Sequence, residues 1–448
     1  MTGQEAAGKG GIKGVRKELL QVAMLSFFTL IVLAPLMTIG MSDNTSQMDG
    51  EGTQTRQIAY ILVAFFMMFS LRPVEDYRRL FVIPLPLLIG LGVCWISLVW
   101  AVEPNIALRR LILTTVVMWT LFAGVRRLAF EESMTIFRVV LLLLLVANYM
   151  AVLIKPEYAI HLLDTPEERG LIGDWRGIMQ HKNIAGATSA VAMILFIFDA
   201  DRFNKWLRLG VIVAAAFFLV QSGSKTSSGM VLAAVAVGFI YTRYKGRHRG
   251  ALIAAVSLLG IIGTLIGLLF HNPLNVDFTD PHAFTGRPLI WKALTDYIIE
   301  HPLFGSGYGS FWNIGPTSPI YHYASGWPSR VATGHDGFLD LAAQLGIPGM
   351  MLIVGVTIFW PMLRLVAFAR SAGQRGALIV TLYIFCVGHN FTESSIFDRD
   401  QFVWVTLMLA IALTENMTEG SGVGFDMSRV KRQNAEIASR ASGKPLSL

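Results

Sequence analysis

Only two cysteines occur in the 448-residue sequence, and both lie inside apolar runs. We therefore expect Cys94 and Cys386 to be packed thiols rather than partners in a disulfide or ligands of a metal. Charged residues are also scarce, at 15% of the chain against roughly 25% in an average soluble domain, whereas apolar residues make up 54%. This balance excludes an ordinary soluble globular domain as the body of the protein.

Apolar runs of about twenty residues, the length that a helix needs to cross a hydrocarbon core, recur along almost the whole chain. Inside hydrocarbon every backbone amide must be paired within the protein, so such runs are expected to be helices. The sequence therefore predicts an all-α polytopic membrane protein with about twelve transmembrane helices. The predicted spans are residues 19–41, 57–71, 80–100, 106–124, 134–154, 184–199, 207–221, 228–242, 251–270, 348–368, 376–391 and 401–415.

The net charge of +7 comes from basic residues that stand mostly in short blocks between the apolar runs. Such blocks are typical of the cytoplasmic loops of membrane proteins, so they are interpreted as topology signals and not as a nucleic-acid interface. Their alternation predicts that segment 1–18 and the tail 416–448 are both cytoplasmic. Membrane helices 1–9 then fall within 19–270 and helices 10–12 within 348–415.

The long connection 271–347 is predicted to lie on the opposite, external face, between helices 9 and 10. A loop of this length is normally functional or disordered, and its many aromatic residues favour an ordered, partly helical structure. Its segment 287–300 carries apolar residues at helical spacing, which is the pattern of a helix lying at a membrane surface. The apolar face comprises Leu289, Ile290, Ala293, Leu294, Tyr297 and Ile298.

Several cations are also predicted on the external face, where positive charge opposes the topological bias. These cations include Arg176, Lys182, Lys225, Arg287 and Arg330. Arginine and lysine near helix starts at a water–lipid boundary suit a phosphate or diphosphate group. Taken singly, Lys225 in "QSGSKTSSG" fits a lysine that snorkels to the lipid headgroups better than a phosphate ligand, and Arg287 is equally consistent with an ordinary surface arginine.

Histidine is the side chain best suited to accept a proton at neutral pH. His335 stands between Gly334 and Asp336, where a polar loop becomes the helix-like stretch "DGFLDLAAQLG". It is either a general base for a hydroxyl group or a structural histidine that caps this helix. His181, in "QHKN", is a weaker candidate that fits loop structure better.

Four stretches together resemble one family. They are "WRGIMQHKN" at 175–183, "SGSKT" at 222–226, "GRPLIWKALTDYIIEHPLFGSGYGSF" at 286–311 and "HDGFLDLAAQLGIPG" at 335–349. In their order and spacing they are similar to the O-antigen ligase and Wzy-type polymerase superfamily of membrane glycosyltransferases. The first stretch is nearest to the exopolysaccharide-polymerase branch.

The resemblance implies transfer of a glycan from an undecaprenyl-diphosphate carrier to a sugar hydroxyl, at the periplasmic face of a bacterial inner membrane. It makes segment 271–347 a periplasmic catalytic loop. His335 matches the family's proposed base, and Lys225 and Arg287 match its diphosphate-binding cations. Further diphosphate contacts are expected from Lys182 and Arg176, and support from Asp336, Arg330 and His181. Asp336 either raises the basicity of His335 or only caps the helix.

The implied reaction needs no metal and no cofactor, because the bond to the diphosphate already stores the free energy of transfer. Direct displacement of the diphosphate would invert the anomeric centre. The implied partners are the lipid-linked oligosaccharide, an acceptor glycan or a lipid A core, membrane lipids and a chain-length regulator, with no nucleic acid. A polymerase is favoured over a ligase. A polysaccharide transporter or flippase, and a non-catalytic partner of an export complex, stay open as alternatives.

Overall fold

The computed structural model describes residues 3–33, 54–162, 170–244, 247–255, 286–368 and 373–420. Within these ranges the chain is helical and forms no β-strand. The predicted all-α class is therefore confirmed for the described residues. The predicted span 251–270 and the tail 416–448 lie largely outside them.

Long helices account for most of the described chain. They are α1 (Gly3–Leu33), α2 (Gln54–Leu71), α3 (Leu85–Ile96), α4 (Pro104–Arg127), α5 (Phe130–Ile154), α6 (Lys182–Ile197), α7 (Lys205–Gln221), α8 (Lys225–Arg243), α9 (Arg287–Glu300), α10 (Gly337–Val354), α11 (Trp360–Phe368), α12 (Gly373–His389) and α13 (Phe402–Gly420). Shorter helical turns occupy Tyr77–Leu80, Ser97–Val99, Pro156–Ala159, Ile320–Tyr323, Trp327–Arg330 and Gly355–Phe359.

Four helices in the described ranges are long and apolar enough to cross a membrane. They are Pro104–Arg127, Phe130–Ile154, Lys225–Arg243 and the stretch Gly337–Val366, which joins α10 to α11. Shorter apolar helices occur at Thr55–Leu71, Leu85–Val99, Lys182–Ile197 and Phe402–Met417. The count of twelve spans stays a prediction.

The centre of the molecule is built around α13. Residues 402–414 are all buried, which is the pattern of a helix surrounded by other helices. Helix α12 packs against both α13 and α8, and α8 in turn packs against α6. These contacts bring the starts of α6 and α8 to the segment that links α12 to α13.

Helix α9 buries most of the face that its sequence predicts, including Ile290, Leu294 and Tyr297. The prediction of a membrane surface beneath that face is wrong, because the protein itself covers it. The covering residues come from the loop that follows α9 and from α10, and include Phe311 and Ala343. The protein-packed face therefore fixes α9 against α10 and orients its first residue.

A kink at Gly346 divides α10. Gly346 has φ of 70° and ψ of 174°, and a Cβ atom there would lie 2.3 Å from the backbone of Leu303. The amide of Ile347 donates to the carbonyl of Pro302 at 2.8 Å, so the loop after α9 replaces a bond that the kink removes. The second half of α10 begins next to the predicted start of the tenth span.

Candidate functional site

Four helix N-termini converge on the short segment 392–394 between α12 and α13. At the start of α6, the side-chain Nδ2 of Asn183 donates to Glu393 Oε1 at 2.6 Å. At the start of α8, the hydroxyl of Thr226 bonds that of Thr392 at 2.7 Å. Arg287, the first residue of α9, donates to Glu393 Oε1 at 2.5 Å and also to the Thr392 carbonyl. Three N-terminal turns therefore meet one anionic side chain and its neighbour.

The fourth N-terminus belongs to α10. The amide of Asp336, its N-cap residue, donates to the Ser394 hydroxyl at 3.0 Å, and the amide of Gly337 donates to the Asn390 carbonyl at 2.9 Å. Helix N-termini carry partial positive charge from their unpaired amides. The four together make this end of the bundle favourable for an anion.

The segment that receives these contacts is itself held rigidly by Asn390. The buried Asn390 Oδ1 accepts bonds from the Ser395 amide at 2.8 Å, the Ser395 hydroxyl at 3.0 Å and the Ile396 amide at 3.0 Å. Its Nδ2 donates to the Cys386 carbonyl of α12 at 2.8 Å. The turn that presents Glu393 is therefore fixed to the end of α12.

His335 contacts the same carboxylate. Its Nδ1 lies 3.1 Å from Glu393 Oε2, and 24% of its side chain is exposed. His335 has φ of 51°, a left-handed conformation that is uncommon outside glycine. Such strain persists only where the surroundings impose it, and it often marks a functional position.

The surroundings that impose this conformation are anchored by Asp340 on α10. The buried Asp340 carboxylate accepts bonds from the Gly334 amide at 3.0 and 3.2 Å and from Trp312 Nε1 at 2.7 Å. The Gly334 carbonyl accepts a bond from Trp291 Nε1 of α9 at 3.0 Å. With Gly334 held on one side and Asp336 on the other, the His335 side chain is directed at Glu393.

Glu393 is the electrostatic centre of the cluster. Burial by itself would raise the pKa of its carboxyl, but the His335 hydrogen bond and the charges of His335 and Arg287 outweigh burial and lower the pKa to about 2. The carboxylate is therefore ionised and can only accept hydrogen bonds. It follows that His335 Nδ1 carries the proton and that, in the neutral ring, Nε2 is left as the basic nitrogen.

The structure places Asp336 as a helix cap and not as the partner of His335. Its Oδ1 accepts bonds from the amides of Phe338 at 2.9 Å and Leu339 at 3.0 Å, which is the geometry of an N-cap. Burial raises the pKa of Asp336 to about 7, even though these two amides lower it. The acidic partner of His335 is instead Glu393.

Lys225 and Lys182 flank the cluster with different surroundings. Lys225 is the first residue of α8 and is exposed, and the described residues give its ammonium no hydrogen bond or ion pair. Lys182 is partly buried, with its Nζ 2.5 Å from Asp174 Oδ2 and 3.4 Å from the Gly223 carbonyl. Lys225 therefore keeps its charge available for a ligand, whereas Lys182 is engaged with a carboxylate.

Three other predicted site residues have local contacts instead. Arg176 donates from Nε to the Tyr158 carbonyl at 2.9 Å. The Nδ1 of His181 accepts from the Asn183 amide at 3.2 Å, so His181 caps α6, and burial lowers its pKa to about 4. Arg330 is exposed at the end of the turn Trp327–Arg330. The contacts of Arg176 and His181 indicate positioning of nearby segments.

The sequence-based candidates did not include Glu393 and Asn183. Both lie in short polar segments next to apolar runs, "HNFTESSIFDRD" and "QHKN". The signal that points to Glu393 is an acidic residue in a polar segment between two apolar runs. In the described residues, no group of three or more histidine, cysteine, aspartate or glutamate side chains is arranged to hold a metal ion.

A comparison with known families finds one match. A family model described as O-antigen ligase matches residues 209–354, about a third of the chain. This range contains Lys225, Arg287 and His335. The match confirms the resemblance to the O-antigen ligase and Wzy-type polymerase superfamily, and it agrees with the apolar helices in indicating a membrane protein. No curated protein matches the chain.

Proposed function

Because residues 209–354 carry an O-antigen ligase domain, we propose that the protein transfers a glycan from undecaprenyl diphosphate to a sugar hydroxyl. The site of transfer in this proposal is the cluster of His335, Glu393, Arg287 and Lys225. We place it at the periplasmic face of a bacterial inner membrane, with both termini in the cytoplasm. The superfamily itself acts on lipid-linked glycans, which makes a polyprenyl carrier the natural donor.

The observation that carries the proposal is the convergence of four helix N-termini beside a histidine–carboxylate pair. A diphosphate needs positive potential and many N–H donors, and helix N-termini supply both. Lys225, exposed at the start of α8, adds a full charge. A lipid-linked diphosphate lying at the membrane boundary would therefore meet this end of the bundle with its charged group.

His335 acts as the base in this mechanism. The acceptor hydroxyl gives its proton to His335 Nε2 while its oxygen forms a bond to the anomeric carbon. Glu393 accepts a hydrogen bond from Nδ1–H and stabilises the imidazolium that forms. The strained backbone of His335 keeps the ring oriented before the acceptor arrives.

The leaving diphosphate takes the electron pair of the bond that breaks, the one between the anomeric carbon and the phosphate oxygen. Lys225 and the helix N-termini stabilise the negative charge that develops there. Arg287 donates to Glu393 and to the Thr392 carbonyl, so its first role is to orient the carboxylate, and its remaining N–H groups would be available to the diphosphate. Attack opposite the leaving group inverts the anomeric centre without a metal or a cofactor.

We favour a polymerase, in which the acceptor is the next lipid-linked repeat unit. The stretch 175–183, which is nearest to exopolysaccharide polymerases, is not remote from the proposed site. Lys182 contacts the Gly223 carbonyl beside Lys225, and Asn183 donates to Glu393. Sequence differences between family branches in this stretch would therefore affect binding of the acceptor or the donor directly. A chain-length regulator would act on the same product.

The test uses purified protein and an undecaprenyl-diphosphate-linked repeat unit, with the products separated by gel electrophoresis. A ladder of glycan lengths from the donor alone is the expected result and identifies a polymerase. Transfer that occurs only after a lipid A core is added would make the protein a ligase. If the glycan crosses a vesicle membrane with unchanged length and no transfer occurs, the protein is a carrier and the proposal is wrong.

A further inference from the structure

A pocket lined by arginines lies at the opposite end of the bundle from His335. Helix α4 links the two ends: the amide of Glu103, its N-cap residue, donates to the Ser310 hydroxyl in the loop after α9 at 2.7 Å. The 24-residue helix then rises about 36 Å to Arg126 and Arg127. This rise is close to the thickness of a membrane. The arginine pocket therefore lies at the other membrane boundary.

The pocket has a volume of about 420 Å³ and collects charge from two separate segments. Arg78 and Arg79 come from the turn Tyr77–Leu80, and Arg126 and Arg127 from the end of α4. Asn416 of α13 closes a third side. Cytoplasmic arginines that serve only as topology signals have no reason to line one cavity.

Helix dipoles do not account for this much positive charge. The C-terminus of a helix carries about half a negative charge, which one cation offsets. Two carboxylates lie close by, but both pair with Arg79: its nitrogens are 3.4 Å from Glu75 Oε2 and 3.6 Å from Asp76 Oδ2. The pocket therefore keeps a net positive charge that suits an anionic ligand.

The walls of the pocket are fixed by hydrogen bonds. Trp119 Nε1 of α4 donates to the Leu80 carbonyl at 3.0 Å, and Arg126 donates to the Phe81 carbonyl at 3.3 Å. Asn416 Nδ2 donates to the Val125 carbonyl at 2.5 Å. Because these bonds join three segments, the arginines are presented from a rigid frame.

One side of the pocket is apolar and open. Phe81 lines it with 69% of its surface exposed, and the exposed ring of Tyr77 packs edge-on against Phe81 at 6.5 Å. Val82 also lines the pocket but is buried. A free phosphate ion gains nothing from an exposed aromatic pair, whereas a lipid brings both a phosphate and acyl chains to it.

We propose that this pocket binds the headgroup phosphate of an anionic phospholipid, with the acyl chains against Phe81 and Tyr77. Arg78 and Arg127 contribute charge from opposite walls. The bound lipid would tie the segment before α3 to the end of α4 at the boundary away from the glycan-transfer site. This inference does not depend on the proposed function.

The experiment measures lipid binding to the full-length protein in detergent, by native mass spectrometry with added phosphatidylglycerol. The variant Arg78→Gln/Arg127→Gln removes two pocket charges, and Arg243→Gln/Arg247→Gln removes two exposed charges elsewhere. We expect the pocket variant to bind phosphatidylglycerol about tenfold or more weakly and the control to bind within about twofold of wild type. Phosphatidylcholine should bind weakly to all three proteins.

Three outcomes would overturn the inference: equal losses in both double variants, equal binding of phosphatidylcholine, or full displacement of the lipid by millimolar inorganic phosphate. If the pocket variant does not fold, photolabelling of the wild-type protein provides the test. Phosphatidylglycerol with a photoreactive headgroup should then label peptides that contain residues 77–82 or 126–127. Labelling confined to other parts of the chain would contradict the proposed site.

Discussion

Replacing Glu393 by glutamine separates the charge of this side chain from its shape. The carboxylate is 12% exposed and accepts bonds from His335, Arg287 and Asn183. Its pKa is lowered from 4.5 to about 2, a net effect of about 3 kcal/mol in which burial is outweighed by the His335 hydrogen bond and by the charges of His335, Arg287 and His389. A neutral amide of nearly the same size gives up most of that interaction.

The loss should be felt most when His335 becomes positively charged in the transition state. If most of this interaction is made with His335, about 3 kcal/mol corresponds to roughly a hundredfold in rate, and disturbing the tautomer of the base extends the expected loss toward 10⁴-fold. We expect Glu393→Gln to lower kcat by about 10² to 10⁴, with little change in KM, because the interaction strengthens only during the reaction.

The assay is the initial rate of glycan extension from a lipid-linked repeat unit, measured over a range of donor concentrations. Glu157→Gln, at an exposed glutamate of the short helix Pro156–Ala159, is the matched control and should behave as wild type. Size-exclusion profiles of both variants establish that each is folded. A folded Glu393→Gln protein with wild-type kcat would refute the assignment of Glu393 as the partner of His335.

Three further perturbations have expected outcomes. Lys225→Gln should lower kcat/KM about tenfold to a hundredfold, a range that allows for the weakening of the lysine's charge by solvent, whereas Lys225→Arg should retain activity. Equal kcat/KM values for the two variants would contradict a role in binding the diphosphate. Because the pKa of Glu393 is lowered, the carboxylate's contribution to stability is complete above about pH 4.5 and is lost as the pH falls toward 2. The melting temperature of the wild type should therefore fall more in acid than that of Glu393→Gln. Gly346→Ala should destabilise the fold by about 3 kcal/mol in denaturant titrations, whereas Gly355→Ala, which has a helical φ and open space around it, should leave stability unchanged. Equal losses of stability in the two variants would contradict the argument that Gly346 is required for the kink.

Local patterns in the sequence predicted the features that depend on local physics. The spacing of Ile290, Leu294 and Tyr297 identified the buried face of α9, and the polar-to-apolar change after His335 identified the start of α10. The same spacing could not distinguish burial in protein from burial in a membrane, because both environments select apolar side chains. The surface predicted for α9 was wrong for that reason.

Long-range pairing was beyond local patterns. His335 and Glu393 are 58 residues apart, and Arg287 and Glu393 are 106 apart. Such contacts depend on how α9, α10 and α12 pack, and no periodicity encodes them. Asp336 shows the converse difficulty: the residue next to a histidine is equally suited to assist it or to cap a helix, and only the positions of the Phe338 and Leu339 amides decide between the two roles.

The central claim is that His335 removes the proton from the acceptor hydroxyl. The most direct measurement compares wild type with His335→Ala in the extension of an undecaprenyl-diphosphate-linked repeat unit, with donor binding measured in parallel. We predict that the variant binds the donor with nearly unchanged affinity and forms no extended product, because the diphosphate contacts at Lys225 and the helix N-termini are intact. A His335→Ala protein that extends the glycan at the wild-type rate would contradict the account.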